Sequence, residues 1–151
     1  MGNSTRIKVM FLCTGNSCRS QMAEGLAREI GKGILEPYSA GLIAAGVHPR
    51  AIEVMKEIGI DISKQKSKEI DEGLLHTMDV VITLCTSAEQ ACPWTPPDMK
   101  RLHWPVKDPV GIIGSREEVM KEFRRARDEI KQKIDEFVRA LNQERAGTRH
   151  R

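Results

Sequence analysis

The sequence is poor in aromatic residues and has no long apolar run. Aromatic residues make up 4% of the 151 positions, and the sequence contains a single tyrosine. No apolar stretch approaches the roughly 20 residues that a membrane helix requires. Residues 1–8 are polar, without the apolar core of a signal peptide. We therefore expect a cytoplasmic protein that does not act at a membrane.

The sequence also has little excess charge. Its formal net charge is +3, and its lysines and arginines alternate with acids except in the short basic segment 145–151. This distribution argues against a nucleic-acid partner. With 40% hydrophobic and 30% charged residues, residues 1–151 are typical of one globular domain. We expect residues 145–151 to form a disordered tail.

Apolar residues follow strand-like and helix-like patterns in alternation. A nearly continuous apolar run indicates a buried strand at residues 6–12, and further strands are predicted at residues 34–40, 79–84 and 100–104. Helices are predicted at residues 20–30, from Pro49 onward, and from Ser115, which forms a capping-box pattern with Glu118. This order predicts an α/β fold, a single three-layer domain with a four-stranded parallel sheet flanked by helices.

The predicted helices each have an apolar face that should contact the sheet. These faces comprise Ala23, Leu26, Ala27 and Ile30 in the first helix, Ile52, Met55 and Ile58 or nearby apolar positions in the second, and Val119, Phe123, Ala126, Ile130, Ile134, Phe137 and Leu141 in the last. Spacings of three and four residues place such side chains on one side of a helix.

The segment Cys13-Thr-Gly-Asn-Ser-Cys-Arg-Ser20 lies between a predicted strand and a predicted helix. Its backbone N–H groups and the helix N-terminus can surround a tetrahedral oxyanion, and Arg19 can add two parallel hydrogen bonds. The positive electrostatic field of these groups also stabilises a thiolate at Cys13, and Ser20 can donate a hydrogen bond to its sulfur. The alternative is that Cys13 is a buried structural cysteine, and the presence of Arg19 and Gly15 between a strand and a helix argues against it. For Cys18 we favour packing.

A second pair of cysteines, Cys85 and Cys92, encloses residues that favour a short helix. Seven helical residues rise about 10.5 Å, whereas a disulfide needs Cα atoms within about 7 Å. The pair can therefore form a disulfide only if that helix unwinds. Zinc binding is a weaker alternative, because the cysteine spacings are wide and no histidine lies close in sequence. A further alternative is that Cys85 and Cys92 are two buried thiols with no shared role.

Six sequence motifs together resemble a known family. They are Cys13–Glu24, Tyr38–Gly41, Asp61–Ser63, Val80–Cys85, Cys92-Pro93 and Asp108-Pro109, and they span most of the chain. This set is similar to the thioredoxin-coupled arsenate reductases, which share the fold of the low-molecular-weight protein tyrosine phosphatases.

The resemblance implies an activity and a set of roles. Arsenate would be reduced to arsenite, for arsenic detoxification, by a relay through Cys13, Cys85 and Cys92. Arg19 and Asp108 would be the other catalytic residues, with Asp108 as general acid. Reduced thioredoxin would supply the electrons, without a bound cofactor, and phosphate or sulfate would bind as analogues of arsenate. The substrate-binding residues would be Thr14, Gly15, Asn16, Ser17, Cys18, Arg19 and Ser20.

Two other functions remain open. The alternatives are a tyrosine phosphatase and a non-enzymatic redox or oxyanion sensor.

One position and one segment depart from the family pattern. Reductases of this family often hold potassium through residues that match Asn16, Glu24 and Ser39 and an additional acid. That acid is replaced by Lys68, so we predict no metal. The segment Pro105-Val-Lys107 stands where the family pattern has an aromatic residue and an acid.

Overall fold

The structure is a computed structural model and describes residues 6–149. It contains four strands, β1 to β4, and five helices, α1 to α5. In chain order these are β1 Ile7–Cys13, α1 Arg19–Ile30, β2 Leu35–Gly41, α2 Pro49–Lys56, α3 Glu72–Leu75, β3 Val80–Thr83, α4 Thr86–Ala91, β4 Lys100–His103 and α5 Arg116–Arg149.

All strand pairs are parallel, and the sheet order is β2-β1-β3-β4. Cys13 pairs with Gly41 across β1 and β2, and Thr83 pairs with His103 across β3 and β4. The carboxyl ends of the strands therefore lie at one edge of the sheet. In such sheets this edge is where ligands bind.

Side chains of β1 alternate between two cores, as expected for a strand covered on both faces. Val9 and Phe11 belong to a core with α1, α2 and α5. Met10 and Leu12 belong to a second core that includes residues of α3 and α4. The predicted three-layer α/β fold with a four-stranded parallel sheet is confirmed.

Several local predictions are confirmed, and others are wrong. Ser115 and Glu118 exchange the two hydrogen bonds of a capping box at the start of α5. In α2, however, Ala51, Val54 and Met55 are buried, whereas Ile58 follows the helix and is 36% exposed. The short helix α3 was not predicted, because four residues are too few to establish a period.

The long helix α5 also differs from expectation at its end. Residues 145–149 continue the helix, where a disordered tail was predicted, while residues 150–151 lie outside the described part of the chain. Alanine and arginine favour helical conformation, so the basic segment can extend the preceding helix. Among the described residues, no helix combines the length and apolar character needed to cross a membrane.

Candidate active site

The loop after β1 folds tightly against the end of β2. Asn16 has a φ of 47°, a left-handed conformation that asparagine adopts more readily than most residues. A Cβ atom on Gly41 would lie 2.6 Å from the backbone nitrogen of Asn16 and 2.7 Å from the carbonyl oxygen of Ile43. Glycine is therefore required at position 41 for this approach, and the Tyr38–Gly41 motif has a structural reason.

The side chain of Asn16 holds the loop in shape. Its Nδ2 donates to Ser20 Oγ at 2.8 Å and to Ser39 Oγ at 3.0 Å. Its Oδ1 accepts from the backbone nitrogen of Lys68 at 2.9 Å and from Gln21 Nε2 at 3.0 Å. Asn16 is fully buried. All the hydrogen-bonding capacity of this amide is therefore used within the protein, and its side chain is a structural support of the predicted binding loop.

Cys13 lies at the base of the loop, 3% exposed. Its Sγ is 2.8 Å from Ser20 Oγ. Because Asn16 Nδ2 donates to the same hydroxyl oxygen, the hydroxyl proton of Ser20 is free to point at the sulfur. The sequence predicted this contact, and Ser20 can stabilise a thiolate at Cys13 through it.

Arg19 connects the loop to the segment that carries the predicted general acid. Its Nη1 donates to the carbonyl oxygen of Val106 at 2.9 Å, and its Nη2 lies 3.5 Å from Asp108 Oδ2. Asp108 also accepts from the backbone nitrogen of Val110 at 2.9 Å. The carboxyl group of Asp108 is thus placed near the loop, although Asp108 and Arg19 are 89 positions apart in sequence.

These groups surround a cavity of about 230 Å³. It is lined by Cys13, Thr14, Gly15, Ser17, Cys18, Arg19, Ala45, His48, Asp108 and Val110. The predicted residues Asn16 and Ser20 lie behind this lining, because both are fully buried. Ala45, His48 and Val110 were not among the predicted site residues.

His48 is the most chemically distinctive residue that sequence reasoning missed. Its Nδ1 accepts from the backbone nitrogen of Arg50 at 3.1 Å and so caps α2. Partial burial, followed by the charge of Arg50, lowers the pKa of His48, while Asp108 opposes the shift. The neutral imidazole is therefore favoured. The only signal in the sequence was its position before Pro49 at the predicted start of a helix.

Cys18 lies in the same loop but is chemically different from Cys13. It is 4% exposed and packs in the core. Burial above all, together with the charges of Asp108 and Cys13, raises its pKa far above the ordinary range of a thiol. A thiol that stays protonated is a poor nucleophile. This agrees with the expectation that Cys18 serves packing.

The second pair of cysteines encloses α4, next to the loop. Cys85 Sγ lies 3.3 Å from Thr14 Oγ1 and accepts from the backbone nitrogen of Ala88 at 3.4 Å, so Cys85 is the N-cap of α4. Cys92 ends the same helix. Burial raises the pKa of Cys92, against the effect of Arg101. All four cysteines are free thiols, and the predicted helix between Cys85 and Cys92 is present.

The carboxylate of Glu24 has several cationic and hydrogen-bonding partners. Its oxygens accept from Ser39 Oγ at 2.5 Å and from Arg28 Nη2 at 2.6 Å, and Lys68 Nζ lies 3.8 Å away. Lys68 Nζ also donates to the carbonyl oxygen of Lys66 at 2.6 Å. These residues do not fit a potassium ion, because an ammonium and a guanidinium already lie against the carboxylate. Among residues 6–149, no group of three His, Cys, Asp or Glu side chains is arranged to hold a metal.

Replacing Lys68 with aspartate is expected to create a dependence on potassium. The change removes the ammonium and places a second carboxylate beside Glu24, so a bound cation becomes favourable. In sodium chloride the melting temperature should fall by about 3 °C, which corresponds to about 1 kcal/mol for a chain of this size. Potassium chloride at the same ionic strength should restore part of the loss, as measured by thermal unfolding.

The matched control is Lys68→Met, which removes the ammonium without adding a carboxylate. It should melt at the same temperature in both salts, as should the unmodified chain. A higher melting temperature of the unmodified chain in potassium than in sodium would contradict the assignment of the cationic role to Lys68.

Comparison with known proteins identifies the family. The sequence pattern described as "Low molecular weight phosphotyrosine protein phosphatase" matches residues 8–147, and the chain belongs to this family. The "Arsenate reductase" of Bacillus subtilis (strain 168) is 50% identical over 130 residues, which are 86% of this chain and 94% of that protein. The "Arsenate reductase 2" of a Staphylococcus epidermidis strain is 50% identical over 129 residues, which are 85% and 94% of the two chains.

A solved structure is similar as well. It is described as "An arsenate reductase in the phosphate binding state", is 38% identical in sequence, and superimposes with a TM-score of 0.73. The match covers 89% of this chain and 98% of that one. The relatives and the fold thus agree with the family resemblance of the sequence motifs.

Proposed function

We propose that this protein is an arsenate reductase that converts arsenate to arsenite with three thiols. The observation that carries the proposal is the arrangement of Cys13, Cys85 and Cys92. Cys13 begins the segment 13–20, which we call the oxyanion loop. Cys85 lies beside Thr14 of that loop, and Cys92 ends the helix that Cys85 caps. The similar proteins described as arsenate reductases support this assignment.

In the first step, arsenate binds in the cavity and reacts with Cys13. The loop amides and the Arg19 guanidinium hold three oxygens of the anion, as a helix N-terminus and a planar donor pair favour. The Cys13 thiolate attacks arsenic, so a sulfur–arsenic bond forms and one arsenic–oxygen bond breaks. Asp108, which lines the cavity, gives a proton to the departing hydroxide, which leaves as water.

In the second step, the thiolate of Cys85 attacks the sulfur of Cys13. The sulfur–arsenic bond breaks and its electron pair stays on arsenic, which is thereby reduced from the +5 to the +3 state and leaves as arsenite. The two sulfurs are oxidised to a Cys13–Cys85 disulfide. Thr14 Oγ1, 3.3 Å from Cys85 Sγ, can position this thiol over the loop.

In the third step, the thiolate of Cys92 attacks Cys85 and releases the Cys13 thiolate. Burial raises the pKa of Cys92, so this thiol is protonated while α4 is folded and gains reactivity when the segment opens. The resulting Cys85–Cys92 disulfide lies on an unwound segment that an external dithiol protein can reach.

Thioredoxin is the electron donor that we propose, with no bound cofactor. A relay that is regenerated by a reduced dithiol protein needs a reducing compartment, and we therefore propose a cytoplasmic location. Arsenate is the substrate, and phosphate or sulfate are the expected analogues at the same loop, as the phosphate-bound relative suggests.

Turnover of arsenate with thioredoxin, thioredoxin reductase and NADPH tests the proposal. Oxidation of NADPH should match the arsenite produced, in equal amounts. Hydrolysis of p-nitrophenyl phosphate without oxidation of NADPH would favour a phosphatase. A single oxidation of the thiols by arsenate without further turnover would indicate a sensor.

The tyrosine phosphatase alternative has less support from the cavity. Tyrosine phosphatases of this fold usually bind their aromatic substrate with tyrosine side chains. The single tyrosine of this chain, Tyr38, instead donates to the carboxylate of Glu36 on β2. Among the described residues that line the cavity, none is Phe, Tyr or Trp. Because phosphate and arsenate have similar shapes, weak phosphatase activity is compatible with the loop.

Oxidation is expected to loosen the segment from Cys85 to Pro97 while the sheet remains intact. The reason is geometric, since α4 must unwind before the two cysteines can form a disulfide. Hydrogen exchange should therefore become faster for the amides of α4 in the oxidised form and stay slow in β1 and β3. Equal protection of α4 in both redox forms would rule out the unwinding step.

A further inference from the structure

A polar cluster outside the cavity joins α4 to the carboxyl ends of β3 and β4. Thr83 Oγ1 lies 2.7 Å from Glu89 Oε1 and 2.8 Å from His103 Nδ1. Arg101 Nη2 lies 3.4 Å from the same oxygen of Glu89. Thr83 is fully buried at the end of β3. We call Thr83, Glu89, Arg101 and His103 the α4 clamp.

The chemistry of the clamp fixes the direction of its hydrogen bonds. A carboxylate can only accept, so the single hydroxyl proton of Thr83 points at Glu89. The hydroxyl oxygen can then accept from His103, whose Nδ1 must carry a proton. The result is a directed chain in which His103 donates to Thr83 and Thr83 donates to Glu89. A hydrogen bond to a charged acceptor is stronger than one between neutral groups.

The clamp supplies a polar attachment of α4 to the sheet, beside a small apolar one. Ala88 is the only residue of α4 that is buried, and its side chain is a single methyl group. Apart from this methyl group, the apolar contacts of the segment come from Cys85 and Cys92 at the two ends of the helix, which are only partly buried. Glu89 supplies the polar attachment from the same helical turn, with its side chain 40% exposed.

From this geometry we infer that Glu89 is a positioning residue, which holds α4 folded in the dithiol form and thereby sets the balance between the Cys85 and Cys92 thiols and their disulfide. The inference rests on the proposed relay. Glu89 lies between the two cysteines, so unwinding of α4 must draw its carboxylate away from Thr83. The clamp then stabilises only the reduced form, and its free energy opposes disulfide formation.

The two charges of the clamp act in opposite directions on the pKa of Cys92. Glu89 raises the pKa of Cys92 and Arg101 lowers it, while burial raises it most. The clamp therefore acts on the thiol–disulfide balance through the fold of α4.

The test compares Glu89→Ala with Gln90→Ala in the full chain. Both variants place alanine in α4, but Gln90 is exposed and belongs to no clamp contact, so the difference between them isolates the clamp. Each protein is equilibrated in dithiothreitol redox buffers without arsenate or thioredoxin, quenched by alkylation, and mapped for the Cys85–Cys92 disulfide. The disulfide of Glu89→Ala should be favoured about three- to tenfold over that of Gln90→Ala, and a tenfold change corresponds to about 30 mV.

Two further variants separate the clamp from a general loss of structure. Glu89→Gln keeps an oxygen that can accept from Thr83, so its disulfide equilibrium should lie near that of the unmodified chain. Thr83→Val removes the donor with almost no change of shape and should reproduce the effect of Glu89→Ala. The double variant should add little to either single change, because both remove the same bond.

The outcomes distinguish the clamp from the relay. Formation of the disulfide with equal equilibrium constants in Glu89→Ala and Gln90→Ala would overturn the role of Glu89 and leave the relay intact. Absence of a Cys85–Cys92 disulfide from the unmodified chain under all buffers would overturn the relay, and the role of Glu89 with it.

Discussion

Replacing Cys13 with serine is expected to reduce arsenate turnover to below about one per cent of the unmodified rate while leaving the fold intact. A serine hydroxyl is not ionised at neutral pH, so the loop and Ser20 would have no anionic nucleophile to stabilise. Serine is similar in size to cysteine and can keep a hydrogen bond to Ser20. Turnover is measured with thioredoxin, thioredoxin reductase and NADPH, and folding by circular dichroism.

The matched control is Cys18→Ser, the same chemical change in the same loop. Because burial keeps the Cys18 thiol protonated, this variant should retain activity of the same order as the unmodified chain, with a modest loss of stability from the buried hydroxyl. Arsenate reduction by Cys13→Ser at more than a few per cent of the unmodified rate would show that another thiol begins the reaction.

Replacing Cys92 with serine is expected to stop the enzyme after one turnover. This variant should still bind arsenate and release one equivalent of arsenite, because Cys13 and Cys85 complete those steps without Cys92. The protein should then accumulate with Cys13 joined to Cys85. That disulfide lies against the oxyanion loop, since Cys13 is buried and Cys85 contacts Thr14, so thioredoxin reaches it poorly.

Cys85→Ser provides the contrast, since it should stall one step earlier. Arsenic would remain attached to Cys13, and little free arsenite would appear. Rapid-quench assays of arsenite, combined with peptide mapping of the disulfides, report both species. Sustained multiple turnover by Cys92→Ser with thioredoxin would contradict the three-thiol relay and favour direct reduction of the first disulfide.

The features that could be predicted from the sequence are those encoded locally. β1 and β3 are short apolar runs, and their burial in the sheet follows from that pattern. The oxyanion loop is a continuous segment that connects a strand to a helix, so its composition and its neighbours were enough to place Cys13, Arg19 and Ser20. The helix between Cys85 and Cys92 was likewise predicted from the residues that form it.

The features that were missed depend on residues that are far apart in sequence. Asn16 contacts Ser39 and Lys68, and its role as a support of the loop required the fold to be known. His48 lines the cavity only because α2 begins beside the loop. The bond between Glu89 and Thr83 joins a helix to a strand, and no periodic pattern indicates which glutamate on a short helix will make such a contact.

The position of Cys85 at the start of α4 gives the proposed relay an internal order. Its sulfur accepts from the amide of Ala88 and so holds the first turn of the helix. When that sulfur joins Cys13 it is drawn toward the loop and away from the Ala88 amide, and loss of a helix cap costs about 1 kcal/mol. The helix is therefore weakened at the moment when Cys92 must approach. In the proposed relay, one atom therefore links the departure of arsenite to the loosening of the helix that holds Cys92. This atom, Cys85 Sγ, is first a helix cap and then a reactant.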